Sequence, residues 1–599
     1  MNAVSSLRRI RCTCSEHKAT KRRRGNAPAA RIISEKREML KELLKAAERG
    51  EPLWLYELRD VFSKAGDGRE LVCSLLSFDG ERHDYRLYVP RAGGEDERRF
   101  VLDYLCANVF NMLSSVGGRK LVFYFDPSDE ELASQIAGLR DVFSVDCRER
   151  GGLGKVVNIA DRLCSAFGGG RFEFSSADLK SYTPAPAPPD APGRLPPLLR
   201  AAVERSSRGV RCGVDVGGTD IKAVLSVDGR LVCVKEYDWD PSSSRDADGV
   251  IGPIVDIVRL LSRCAGGVSP VCRAALRRDA DLSEIKAAAE SCAPTRFDAI
   301  GLSFPDIVIR DRIVGFETPK MRSIRSFSAD REAEFAKIRE LKDALRPLCR
   351  EGAEIRIAND GHMAAFSAAA ELSCGGAAAE LDSGVIAYAL GTDFGTGWLN
   401  ADGRIPDSPM EFYCFLLDLG SFPSRRIPPE DLRSTLNDNS RLCDARKYLA
   451  QSAAFRLAYE KDPSLLDGFA RSADGLLVIP PELRKDCLER LMSLAADGKE
   501  SARELFVDIG RNIGRISLEM EFLLRPRSPL RFVFGRFVKD RSCFELIRRG
   551  CAEIMPSLRL ERADEELAVT PLMRALGGHG VSTAQFAQAV GAVYYASRG

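Results

Sequence analysis

The chain has 599 residues, too many for one compact core, and at roughly 150 residues per folding unit it predicts three or four units. Lysine and arginine number 88 against 86 aspartates and glutamates, a net charge of +2, which argues against a surface built throughout for nucleic acid or for an anionic membrane. No uninterrupted apolar run approaches the 18 or so residues of a spanning helix. The 18 cysteines are scattered with no CxxC pair and read as reduced thiols of a cytoplasmic protein, and the four histidines (His17, His83, His362, His579) exclude a histidine-rich metal site.

Residues 1–34 carry nine bases against the single acid Glu16, with few apolar residues beside them, so a disordered basic tail is predicted. Any contact with nucleic acid would fall to this tail. From 35 to 180 the pattern is that of a small α/β accessory domain of unknown role. Two alternating strands, 71–77 and 84–89, are joined around Asp79-Gly80, and a helical spacing follows over 100–113. A short strand is expected at 121–125, and 128–131 reads as a capping box opening a further helix. Gly151, Gly152, Gly154 and Lys155 lack Walker spacing, with Val156 where Ser or Thr is needed, and read as a loop. The seven prolines of 181–197 predict an extended linker over 181–200.

After about residue 205, strands alternate with helices, implying an α/β architecture. A strand at 212–216 ends in Asp215-Val216-Gly217-Gly218-Thr219-Asp220, and an alternating strand, 221–227, and a third, 231–237, follow it. The pattern recurs: a strand over 384–390, a glycine-rich turn over 391–397, and a strand from Trp398. Glycine lets such turns bring bare backbone N–H groups against an anion, and Thr219, Thr392 and Thr396 add hydroxyl donors. Asp215, at a strand end beside the turn, is placed to hold a Mg²⁺-bound water. Tight hairpins with no ligand are the alternative for either turn alone. Asn359 and Asp360, ahead of the alanine-rich stretch 363–372, read by themselves as a helix N-cap pair.

In this order the motifs resemble the ROK family of sugar kinases and sugar-responsive repressors, within the actin-like (ASKHA) superfamily, over about residues 209 to 597. DVGGTDIK (215–222) resembles the family's first phosphate motif and LGTDFGTG (390–397) its second. AIGLSFPDIV (299–308) is similar to the sugar-side turn, RIANDGHMAA (356–365) to the segment with the catalytic aspartate, FVFGRF (532–537) to the adenosine-side turn, and AVGAVYYA (589–596) to the closing helix. The resemblance implies a two-lobed, ribonuclease H-like fold, with lobe I over 205–350 and lobe II over 351–599. It implies ATP and Mg²⁺ as cofactors and a hexose or hexose derivative as acceptor, with Asp360 taking the hydroxyl proton in a loose phosphoryl transfer.

Carried over residue by residue, Asp215, Gly217, Gly218, Thr219, Lys222, Gly391, Thr392, Gly395 and Thr396 would meet phosphate and Mg²⁺. Gly535 and Arg536 would meet adenosine, and Ser303, Pro305, Asn359, Asp360 and Glu411 the sugar. A homodimer is compatible with the resemblance. Three positions depart from the family pattern: Asp306 and Asp393 replace glycines, and Cys414 stands where the family has histidine. The cysteine-rich zinc motif has no counterpart, so no structural zinc is expected. A carboxylate at 393 repels polyphosphate unless it turns away or meets Mg²⁺. Two alternatives therefore stand beside the kinase: a sugar-responsive regulator acting on DNA, and a non-catalytic ligand-binding scaffold. The strand-rich order of 35–180 does not match a compact three-helix DNA reader.

Overall fold

A computed structural model describes residues 39–66, 68–144, 152–168, 170–185, 194–291, 294–316, 318–375, 381–391, 393–421, 443–473, 476–562 and 568–598. The basic tail, Thr392 and most of the proline-rich stretch lie outside the described residues.

The N-terminal unit contains α1 (Leu55–Lys64), β1 (Arg69–Leu76), β2 (Arg82–Val89), α2 (Glu95–Ser115), β3 (Lys120–Phe125), α3 (Glu130–Val142), α4 (Lys155–Ala166) and β4 (Glu173–Asp178). Its sheet has the order β2-β1-β3-β4; β1 pairs antiparallel with both neighbours and β3 parallel with β4. Gly80 takes φ +90° at the expected hairpin turn, a conformation glycine adopts without a Cβ clash. The cap of α3 differs from the expected box. Asp129, not Ser128, accepts the Leu132 N–H at 2.9 Å, while Glu131 accepts instead from Arg69 and from the Ala92 N–H.

Helix α2 is buried on nearly every side, which means that something covers the face turned away from its own sheet. Lobe II covers it. One continuous apolar core runs from Leu58, Phe100, Tyr104 and Met112 to Phe415, Phe506, Ile513 and Met520. Two buried polar contacts fix the joint: Arg59 pairs with Glu519 at 2.7 Å, and Asp418 accepts from the Leu53 N–H and from the Tyr448 hydroxyl, both at 2.7 Å.

The linker prediction is shortened by α5 (Leu195–Ser206), which starts inside the proline stretch. Its first-turn prolines remove only N–H groups that a helix start leaves unbonded. Lobe I follows with β5 (Val210–Val216), β6 (Asp220–Val227), β7 (Arg230–Asp238), α6 (Asp248–Cys264), β8 (Phe297–Phe304), the short hairpin β9 (Val308–Ile309) and β10 (Arg312–Ile313), and β11 (Cys349–Asn359). The sheet order is β11-β8-β5-β6-β7, an antiparallel meander β5 to β7 with β8 and β11 parallel to β5. Lobe I therefore extends past the expected boundary at 350, because the strand ending at Asn359 completes its sheet.

Lobe II begins with α7 (Asp360–Cys374) and continues with β12 (Val385–Leu390), β13 (Phe394–Leu399), α8 (Gln451–Lys461), the hairpin β14 (Arg471–Ala473) and β15 (Leu476–Val478), α9 (Glu500–Leu524), β16 (Leu530–Gly535), α10 (Arg541–Ile554) and β17 (Arg559–Arg562). Its sheet order, β13-β12-β16-β17, repeats that of lobe I with one meander strand fewer. The strand expected from Trp398 already starts at Phe394, so most of the second glycine-rich stretch is β-strand.

The last helix, α11 (Thr583–Tyr595), expected to close lobe II, lies between α7 and the lobe I sheet: its Ala587 carbonyl accepts from the Ser367 hydroxyl of α7 at 2.8 Å. Gly213 and Gly301 are register partners in adjacent strands, and a Cβ on either would run into the α11 backbone, at the Ala589 and Ala592 carbonyls respectively. Glycine there permits a helix-to-sheet approach that any side chain would block.

Candidate functional site

The glycine turn after β5, expected to meet phosphate, is held from behind. Trp239 donates its backbone N–H to the Thr219 carbonyl (3.0 Å) and its indole N–H to the Gly217 carbonyl (3.1 Å), and the Gly217 N–H reaches the Asp220 carbonyl at 2.7 Å. With those groups used, Gly218 and Thr219 form the exposed crest. Lys222 on β6 lies opposite Asp215 in register and pairs with Asp220. The Asp215 carboxyl is pushed up to about 6, first by burial and further by the charges of Asp360 and Asp220, against the opposing effects of Ser303 and Lys222. Ser303, its register partner on β8, is fully buried and donates to Gln588 Oε1 on α11 at 2.9 Å. Pro305 is buried just beyond.

Asn359 and Asp360 end β11 and open α7. The cap is Asn359, whose Oδ1 accepts the Gly361 N–H at 2.9 Å and whose Nδ2 donates to the Asp306 carbonyl at 2.9 Å. Asp360 also accepts the Gly361 N–H, at 2.9 Å, but the helix start does not depend on it. Asp360 lies close enough to Asp215 on one side and to Glu411 on the other to raise the pKa of both. It also stands where the chain steps from β11, the last strand of the lobe I sheet, into the first helix of lobe II, and that helix lies tight on β13, because a Cβ on Gly361 or Gly397 would run into the opposite backbone of β13 or α7. His362 ties the same junction: its Nδ1 accepts the Trp398 N–H at 3.0 Å, and burial pulls it down to about 4, so it is neutral.

The second glycine-rich stretch, expected to meet phosphate, is only partly a turn. The Gly391 N–H closes on the Asp393 carbonyl at 3.0 Å, and Gly391 and Gly395 have no backbone crowding their Cβ positions. Thr396 is a correction: it lies within β13, buried, and its hydroxyl donates to the Met410 carbonyl at 2.8 Å rather than being a spare donor for phosphate. Asp393, the repulsive departure, is answered by Arg446, whose Nε is 2.8 Å from Asp393 Oδ1 and whose guanidinium stacks 4.4 Å from the Tyr413 ring centre. Gly535 (φ +103°) is explained by packing alone, since a Cβ would strike the Leu390 carbonyl. It nevertheless ends β16 in register with Leu390, so Gly535 and Arg536 flank the Gly391 turn.

Glu411 follows Met410, which holds φ +56°. Burial pushes the Glu411 carboxyl up to about 7, with Asp306 and Asp360 adding to the rise and the Tyr413 hydrogen bond and the Lys155 charge opposing it. The carboxylate of Asp306, the other departure, accepts from the Ile307 N–H at 2.7 Å and from the Phe316 N–H at 3.0 Å. It fixes the turn between β8 and β9. Residues that no local motif signals also reach the site. Lys320, from the segment between β10 and β11, lies along Gly218, its Cε 2.8 Å from where a Cβ would stand.

These groups fit a nucleotide polyphosphate and a hydrated cation. The crest at Gly218 and the open Gly391 and Gly395 offer bare backbone, Lys222 and Lys320 bring positive charge, and Asp215 is a carboxylate that gains from a cation. Among the described residues no group of three or more histidine, cysteine or acidic side chains is arranged to hold a metal ion. Mg²⁺ would therefore depend on Asp215 through water and on the phosphates themselves.

Two sheets with one strand order, with the chain crossing from one to the other through Asp360 and α7, define the architecture. The fold is two-lobed and ribonuclease H-like. No protein-family model matches the chain, and no curated protein does. Among solved structures the chain is similar to a ROK family glucokinase from Streptomyces griseus in complex with glucose and AMPPNP, at 20% identity and a TM-score of 0.36 over 65% of this chain and 100% of that one. It is similar to the ROK hexokinase of Thermus thermophilus, at 15% identity and a TM-score of 0.35 over 64% and 98%. A ROK family transcriptional regulator, a homologue of the E. coli MLC protein, is similar at 13% identity and a TM-score of 0.37 over 65% and 81%. The strand order and the placement of the turns carry the assignment of fold. No helix among the described residues is long and apolar enough to cross a membrane.

Proposed function

We propose that the protein is a cytoplasmic ATP-dependent sugar kinase that transfers the γ-phosphoryl group to a hydroxyl of a hexose or hexose derivative. The observation that supports it is the position of Asp360, at the step of the chain from the lobe I sheet into lobe II and within electrostatic reach of both Asp215 and Glu411, while the cap of its helix is supplied by Asn359. An aspartate needed only for the cap would have no reason to sit among other carboxylates.

In this reading ATP with Mg²⁺ supplies the transferable phosphoryl group and neutralises the charge that develops on it. The Gly217-Gly218-Thr219 turn and Lys222 hold the phosphates from lobe I, and Gly391 holds them from lobe II. Asp215 orients the cation through water. Arg446 keeps Asp393 from repelling the nucleotide, and Gly535 and Arg536 lie beside the adenosine. Ser303, Pro305 and Asn359 shape the acceptor side. Glu411, near half ionisation at neutral pH, exchanges hydrogen bonds with a sugar hydroxyl, and Asp360 accepts the proton of the attacking one.

The test is turnover with Mg-ATP across a panel of hexoses and N-acetylhexosamines, beside Asp360→Asn. Wild type is expected to release ADP in response to at least one sugar. The substitution should lower kcat by about 10² to 10⁴, the range for loss of a general base, with an unchanged melting temperature because Asn359 still caps α7. Equal rates in the two proteins would refute the role of Asp360.

A further inference from the structure

The acceptor side of the cleft is not made by the two lobes alone. The segment 410–416, which carries Glu411, hangs from the C-terminal end of α2 in the N-terminal unit. Ser115 and Ser114 carbonyls accept the Met410 and Glu411 N–H groups at 3.0 and 2.9 Å. The Asn111 side chain then acts as a piece of strand: its Oδ1 accepts the Leu416 N–H at 2.8 Å, and its Nδ2 donates to the Leu416 carbonyl at 3.1 Å. Asn111 is 1% exposed and sits beside the buried Arg59–Glu519 pair, so its amide is held in place.

The same unit reaches lobe I. Phe78, Leu163 and Cys164 form a small apolar cluster with Ile307, Ile309 and Val314, the residues that follow Asp306 and those of the β9–β10 hairpin. Arg312 donates to the Ala166 carbonyl at 2.7 Å, and Arg162 donates to the Gly315 carbonyl. Lys155, at the start of α4, is within electrostatic reach of Glu411. The N-terminal unit is thus joined to the lobe II segment that bears Glu411 and to the lobe I turn that bears Asp306.

From this we infer that the N-terminal α/β unit is the third wall of the acceptor site, and that Asn111 is the residue that positions the Glu411 segment. The inference rests on the kinase reading for the identity of the acceptor, but not for the positioning. A body fixed to both lobes at one end pre-forms the pocket there and leaves lobe opening to the nucleotide end.

Full-length Asn111→Ala tests this by two readouts. Amide hydrogen exchange over 410–417 should rise at least tenfold while 385–399 and the β1–β3 sheet stay as in wild type. In kinetics the KM for the acceptor should rise about tenfold or more with the KM for ATP within twofold. Unchanged exchange over 410–417 overturns the positioning role, and faster exchange with an unchanged acceptor KM overturns the wall. Should Asn111→Ala not fold, Asn111→Ser, which leaves a hydroxyl for the stranded Leu416 groups, is held to the same outcomes. A wild type that phosphorylates no sugar defeats the kinase reading alone, and exchange in the variant then decides the positioning role.

Discussion

At the scale of single residues, the chemistry of the cleft is set by carboxylates that repel each other in a half-buried space. Glu411 is held at about 7 where an unfolded chain has about 4.5, so between those values the native state keeps a proton that the unfolded state has released. Stability from this group is therefore fully present below about pH 4.5 and lost as the pH rises through 7. Glu411→Gln removes that loss: its melting temperature should match wild type near pH 4.5 and exceed it by several degrees at pH 8, where a carboxyl raised from 4.5 to about 7 costs the native state on the order of 3 kcal/mol. A second residue-scale expectation concerns Asp393 and Arg446, 2.8 Å apart. Arg446→Ala leaves a bare carboxylate at the phosphate turn and should weaken Mg-ATP binding several-fold by calorimetry, and adding Asp393→Asn should restore most of it. The carboxylate at 393 was visible in the sequence as a departure from a glycine pattern. Its answer was not, because Arg446 is 53 positions away and only the fold puts the two side chains together.

At the scale of elements, the glycines divide into two kinds that look alike in the sequence. Gly391 has room at its Cβ position and Gly218 faces only the Lys320 side chain, whereas Gly213, Gly301, Gly397 and Gly535 fill places where another backbone passes. For Gly301 the neighbour is the α11 backbone at Ala592, which cannot rotate away as a side chain would. Gly301→Ala should therefore cost about 3 kcal/mol or more, the upper range for overpacking a rigid site, read as a large drop in melting temperature, while Gly577→Ala, with open space at its Cβ position, should change it little. The elements themselves were largely legible: alternation marked the meander β5 to β7, and the hairpin at Gly80 and the helix before Ser115 fell where the pattern placed them. In the second glycine stretch Gly395 and Gly397 fit a turn by composition, and only the pairing of Phe394–Leu399 with β12 makes them strand.

For the whole molecule, residues 40–172, expected as an accessory domain, share one continuous apolar core with lobe II. A chain beginning at residue 195 would expose Phe415, Leu419, Ile513 and Met520 and leave Glu519 and Asp418 without the partners that α1 and the segment before it supply. Loss of soluble, cooperatively melting protein is the expected outcome on expressing 195–599, set against the intact chain. A fragment that melts cooperatively and binds Mg-ATP as the full chain does would show the N-terminal unit to be dispensable.

The sequence by itself determined what lies within a few residues along the chain: the strand and glycine turn at Asp215, the end of a strand and start of a helix at Asp360, the alternation that makes both lobes α/β. Tertiary structure alone decided what those pieces mean to one another. The bonds between Asn111 and Leu416 span 305 residues, and hydrogen bonds of that separation leave no period or spacing to read. The same holds for the charge on Glu411, which depends on Asp306, Asp360 and Lys155 from three distant stretches of chain as well as on the neighbouring Tyr413, and on the burial that only their assembly creates.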